Sequence, residues 1–130
     1  MTKCEVNLVL DSGALIALER GDKVMWKRFG LAILGGDAPK THAGVLGQVW
    51  RDGARQARLA QALSSVKIYP LDARLGRAAG EILALSGKSD VIDAALVLLA
   101  EDGDEIYTSD SDDIRLIAEA TKRQVEVIPI

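Results

Sequence analysis

The chain carries one cysteine, Cys4, so it forms no internal disulfide and offers zinc no thiolate cluster. Such sparing use fits a reducing compartment, and Cys4 itself reads as a small buried hydrophobe near a strand start. Long apolar runs are missing too. The first, Val6 to Leu10, is interrupted by Asn7 and stopped by Asp11, too short for a signal-peptide core or a bilayer span. The expectation is a cytoplasmic protein with no membrane attachment. An excess of positive charge is also lacking. Lys and Arg number 16 against 19 Asp and Glu, a formal charge of −3, which argues against a protein that coats RNA through charge alone. It leaves room for an enzyme whose acidic centre meets phosphate through a bound cation. Aromatics are 4% of residues, and Trp26 and Trp50, spaced among apolar neighbours, read as core rather than as base-stacking platforms.

What is present is a globular composition: 48% hydrophobic and 27% charged residues with both signs interspersed. Without linker, repeat or low-complexity tract, residues 1–130 read as a single domain able to bury one core. Strand-like and helical segments alternate, the signature of an α/β fold with a mainly parallel central sheet covered on both faces. Strands are expected at 6–10, 38–40, 66–71, 105–108 and 125–128. Helices are expected at 13–20, 22–34, from an N-cap at Thr41 through Arg51, then 54–64, 72–86, 90–101 and 112–121. Gly21, the Gly35-Gly36 pair, Gly53, Gly87 and Gly103 punctuate them.

Four aspartates stand out against this pattern. Asp11 follows the first strand directly and Asp110 follows the 105–108 strand by two residues, so both are expected on the carboxyl-end rim where parallel sheets build sites. Asp90 and Asp93 open the apolar helix three residues apart, on one face. Clustered carboxylates repel one another unless a cation holds them, and oxygen-only ligands favour hard ions such as Mg2+ or Mn2+. That chemistry suits phosphodiester hydrolysis. Taken singly, each of Asp11, Asp90 and Asp110 is as well explained as a helix N-cap; four on one rim favour a site.

The segment Leu10, Asp11, Ser12, Gly13, Ala14, Leu15 resembles the opening of the PIN-domain VapC toxins. The run Ser89, Asp90, Val91, Ile92, Asp93, Ala94 resembles their segment with the third acid, and Thr108, Ser109, Asp110 the strand end with the fourth. The resemblance covers essentially the whole chain. It implies a PIN-like three-layer α/β/α fold and a Mg2+- or Mn2+-dependent RNA endonuclease, the toxin of a toxin–antitoxin pair. A VapB-like antitoxin as inhibitor and a homodimer are implied with it. Catalysis would fall to Asp11, Asp90, Asp93 and Asp110, which would also hold the metal. Where the family commonly has its second acid, this sequence has Gln48. An amide can offer a metal its carbonyl oxygen but adds no negative charge and is no general base.

Around these acids, Arg51, Arg55 and Arg58 are candidate phosphate contacts, or else a solvated basic face. Ser12, Thr108 and Ser109 place hydroxyls that can hold phosphate or water, or cap helices. His42, beside the expected cap and without an evident partner, reads as structural or surface rather than as an acid or base. Two other functions fit parts of the sequence. Gln48 is compatible with a catalytically weakened module that binds RNA or protein. A phosphoacceptor signalling domain would require paired acids after the first strand and a lysine near the last, and both are missing.

Overall fold

The computed structural model describes residues 6–130, so Cys4 lies outside the described residues. The core of the fold is a sheet of five strands, all parallel, in the order β3-β2-β1-β4-β5. These are β1 (Leu8–Leu10), β2 (Lys40–His42), β3 (Lys67–Tyr69), β4 (Glu105–Thr108) and β5 (Glu126–Pro129). β1 is apolar at every position and wholly buried, as a central strand covered on both faces must be.

Seven helices cover the sheet: α1 (Ser12–Glu19), α2 (Lys23–Leu34), α3 (Ala43–Val49), α4 (Ala57–Leu63), α5 (Ala73–Ser86), α6 (Val91–Leu99) and α7 (Ser111–Thr121). α1 packs against α2, α3 and α4, while α5, α6 and α7 pack on one another. The result is a three-layer α/β/α architecture, with a sheet more uniformly parallel than expected. Leu10, Leu15, Leu18, Leu96, Ile106 and Ile114 are fully buried in it, each contributing about 2 kcal/mol of burial free energy.

Several local expectations are corrected. The second strand is Lys40–His42 rather than 38–40, and Thr41 is part of it. Its hydroxyl donates to the Leu10 carbonyl at 2.7 Å, bridging β2 to β1. The α3 cap is instead His42, whose Nδ1 accepts the Gly44 N–H at 3.0 Å. Gly53 does not end that helix; α3 stops at Val49, and Gly53–Arg55 form a separate 3-10 turn. Trp50 sits beyond the helix end and is 38% exposed, so only Trp26 meets the core expectation. Its ring N–H donates to the Leu18 carbonyl at 2.8 Å, and the ring packs against the core.

Candidate functional site

Register places the acids. Leu10 of β1 pairs with Tyr107 of β4, so the residues just past these neighbouring strands, Asp11 and Ser109–Asp110, emerge side by side on the carboxyl-end rim. Asp11 knits that rim together. One carboxylate oxygen accepts the Ala14 N–H at 3.0 Å and caps α1; the other accepts the Ser109 N–H at 3.2 Å across 98 residues of chain. The approach is close because residue 13 is glycine: a Cβ there would come within 2.6 Å of the Ser109 hydroxyl and 3.2 Å of Asp11 Oδ1.

The third element at the rim is α6, which packs on β1 and β2. Asp90 caps it, accepting the Asp93 N–H at 3.0 Å. A buried histidine fixes its first turn. His42 accepts the Gly44 N–H at Nδ1, so its Nε2 carries the proton and donates to the Ile92 carbonyl at 2.9 Å. Burial holds this imidazole below its ordinary pKa, keeping it neutral, with the Ile92 bond acting the other way. The histidine is therefore structural, with both nitrogens engaged.

Asp110 occupies the cap position of α7 yet makes no side-chain capping bond. Its own N–H is taken by the Thr108 hydroxyl at 2.9 Å, so the buried Thr108 shapes the loop. The Asp110 carboxyl instead hydrogen-bonds Asp113, one turn on, and its pKa is raised by desolvation and then by Asp113, Asp11 and Asp90. The largest effect falls on half-buried Asp93. Burial first, then the charges of Asp90, Asp110, Asp11 and Asp113, push it up to about 7. The five acids thus act as one electrostatic unit. Lys88 lies at its edge with Nζ 2.8 Å from Asp113 Oδ1; that hydrogen bond and charge, aided by Asp110, raise its pKa.

Among the described residues no three His, Cys, Asp or Glu side chains are drawn into a finished ligand set for a metal. Coulombic coupling reaches further than a coordination sphere, so the two observations agree: the acids face one another without having closed up. The donor set fits a hard divalent cation. It is all oxygen, short of compensating positive charge, and its outer members Asp90, Asp93 and Asp110 are partly or wholly exposed.

Not every expected site residue joins the acids. Gln48 is exposed on α3 and lines a groove of about 500 Å³ with Glu19, Arg20, Arg51 and Arg55; none of the four rim acids lines it. Arg51 folds back on its own helix, donating to the Gly47 and Trp50 carbonyls at 3.0 and 2.7 Å. Exposed Arg55 pairs at 3.7 Å with Asp52, and Arg58 donates to the Glu19 carbonyl at 3.3 Å. A larger cavity of about 680 Å³ opens beside the acids. Gly13 and Ser109 lie at its acidic end, and Arg20, Arg28 and Ile130 line it further out. Arg20 and Ile16 line both spaces, which therefore meet along the exposed face of α1. Ser12 opens α1 directly after Asp11.

Sequence reasoning missed Arg20, Arg28, Asp113, Lys88 and Gln56. The last is buried, accepting the Arg51 and Asp52 N–H groups and donating to Glu19 and the Val49 carbonyl, and so ties α1 to the end of α3. Asp113 alone had a local signal, as one of two further acids in the first turn of α7 beside Asp110.

Fold and rim together define an α/β protein of PIN-like architecture with an acidic centre at the carboxyl ends of β1 and β4. No protein-family model matches the chain, and neither does any curated protein. Among solved structures, it is similar to a chain of the VapBC2 complex from Rickettsia felis, crystallised bound to a DNA fragment from the promoter of that pair. The TM-score is 0.67 at 13% identity, over 95% of this chain and 98% of that one. At that identity the likeness speaks for the fold. No helix among the described residues is long and apolar enough to cross a membrane.

Proposed function

We propose that this protein is a divalent-cation-dependent endoribonuclease of the VapC type, the toxin of a toxin–antitoxin pair. The observation that carries the reading is the mutual field of Asp11, Asp90, Asp93 and Asp110 at one rim, strong enough to hold a proton on Asp93 near neutrality. Bound Mg2+ or Mn2+ would supply charge stabilisation at the scissile phosphate and activation of water. The side chains have separable parts. Asp11, anchored to two backbone N–H groups, is the rigid member, while Asp90, Asp93 and Asp110 close inward as ligands. Asp93, with the most perturbed carboxyl, is the natural place for a proton to be held or released. Gln48 is assigned a neutral, outer role toward the metal. Ser109 and the arginines of the adjoining spaces, Arg20, Arg28, Arg51 and Arg55, provide hydroxyl and guanidinium contacts for RNA phosphates; Ser12 lies next to them.

The likeness to a VapBC2 chain supports a VapB-like antitoxin as partner, and the exposed apolar side chains of α1 and α2, Ile16, Val24, Leu31 and Leu34, supply a surface of the kind such partners cover. A cytoplasmic homodimer belongs to the same reading. Asp93→Asn is the cleaner test because Asp11 also caps α1, and an amide there would turn a donor toward the Ser109 N–H. Asp93→Asn is expected to lower Mn2+-dependent cleavage of single-stranded RNA at least a hundredfold while the thermal transition persists. Tight RNA binding by the wild type with no cleavage in either metal would favour a binding module on the same fold.

A further inference from the structure

Lys88 is the one observation at the rim that the nuclease reading leaves unused. α5 ends at Gly87, which adopts φ +73° and returns its N–H to the Leu83 carbonyl at 3.0 Å. The next N–H, that of Lys88, is held by the Ser86 hydroxyl at 3.3 Å. This fixed turn leads into the short stretch before Asp90 and aims Lys88 across at the first turn of α7, where its ammonium sits 2.8 Å from Asp113 Oδ1. Asp113 in turn hydrogen-bonds Asp110. A cation is therefore already built into one side of the acidic centre, next to a carboxylate assigned to the metal.

We infer that Lys88 takes the place of a second cation at the rim, so that the centre loads one divalent ion per chain. Two-ion phosphodiesterases hold their metals roughly 3.5–4 Å apart and share carboxylates between them. A second ion here would need Asp113 together with Asp110, and would have to displace an ammonium tethered to the same chain, whose effective concentration is on the order of millimolar. It would also face the charge of the first ion at short range. Lys88 is thus a positioning residue: it holds Asp113 aside and leaves Asp110 to the first ion.

This inference rests on the metal-centre reading, and ion stoichiometry separates the two. Mn2+ would be titrated into the full chain by calorimetry, with bound Mn2+ counted independently by electron paramagnetic resonance, for wild type, Lys88→Arg and Lys88→Met. One ion is expected on wild type and on Lys88→Arg, and two on Lys88→Met. Two ions on wild type, or one on a folded Lys88→Met, overturn the inference while leaving the nuclease reading intact. No ion on wild type removes both. Should Lys88→Met fail to melt cooperatively, the wild-type stoichiometry and Lys88→Gln decide.

Discussion

Asp93 and His42 titrate in opposite senses, and each reports on the rim. The folded protein raises the Asp93 carboxyl from 3.8 to about 7, so without a cation its ionisation works against folding. Stability attached to the protonated form is complete below pH 4 and is lost as pH rises through about 7. Asp93→Asn should therefore stabilise the protein in chelator at pH 8 and do nothing at pH 4. The group is half exposed, so solvent screening leaves an effect of about 1–2 kcal/mol, a few degrees in a thermal melt. Equal melting shifts at both pH values would mean the carboxylates do not share a field. For His42 the lowered pKa means stability is present above 6.5 and lost as pH falls below it. Asp11, Asp90, Asp93 and Asp110 were legible in the sequence because each stands next to an element end. Lys88 and Gln56 were not, since their partners lie 25 and 37 residues away and only tertiary packing brings them together.

Elements explain both what sequence reading found and where it slipped. β1, β4 and α6 declare themselves by continuous apolar runs. The region around β2 misleads because a Thr before an apolar run has the look of an N-cap. Here the sheet claims Thr41 through its bond to Leu10, and the cap passes to His42, a residue with a weaker capping signal. Gln48 belongs to this scale, because its role depends on how α3 leans against α1. In the groove it faces Arg51 and Arg55, yet α3 starts at the rim and the side chain is exposed. Gln48→Glu is expected to tighten Mn2+ binding up to about tenfold, as an added charged ligand would. Unchanged affinity by calorimetry would assign residue 48 to the arginine groove alone.

At the scale of the whole molecule, the net negative charge and the arginine-lined spaces are compatible because the two signs are segregated along the rim, acids at the strand ends and guanidinium groups along α1 and α2. The strand order has a different consequence. β1 is complete by residue 10, but one flank pairs with β4, whose Glu105, Ile106 and Tyr107 lie opposite Leu8, Val9 and Leu10. None of the parallel pairs can form as a local hairpin. A chain cut after residue 104 should therefore show no cooperative thermal transition by circular dichroism; a sharp transition would mean the first four-fifths folds alone. On a ribosome adding about 5–20 residues per second, the nascent chain would carry Asp11 for most of its synthesis before Asp110 exists. An enzyme that cuts RNA and is itself translated from RNA gains from that delay: its reactive centre cannot come together until its own message has been almost completely read.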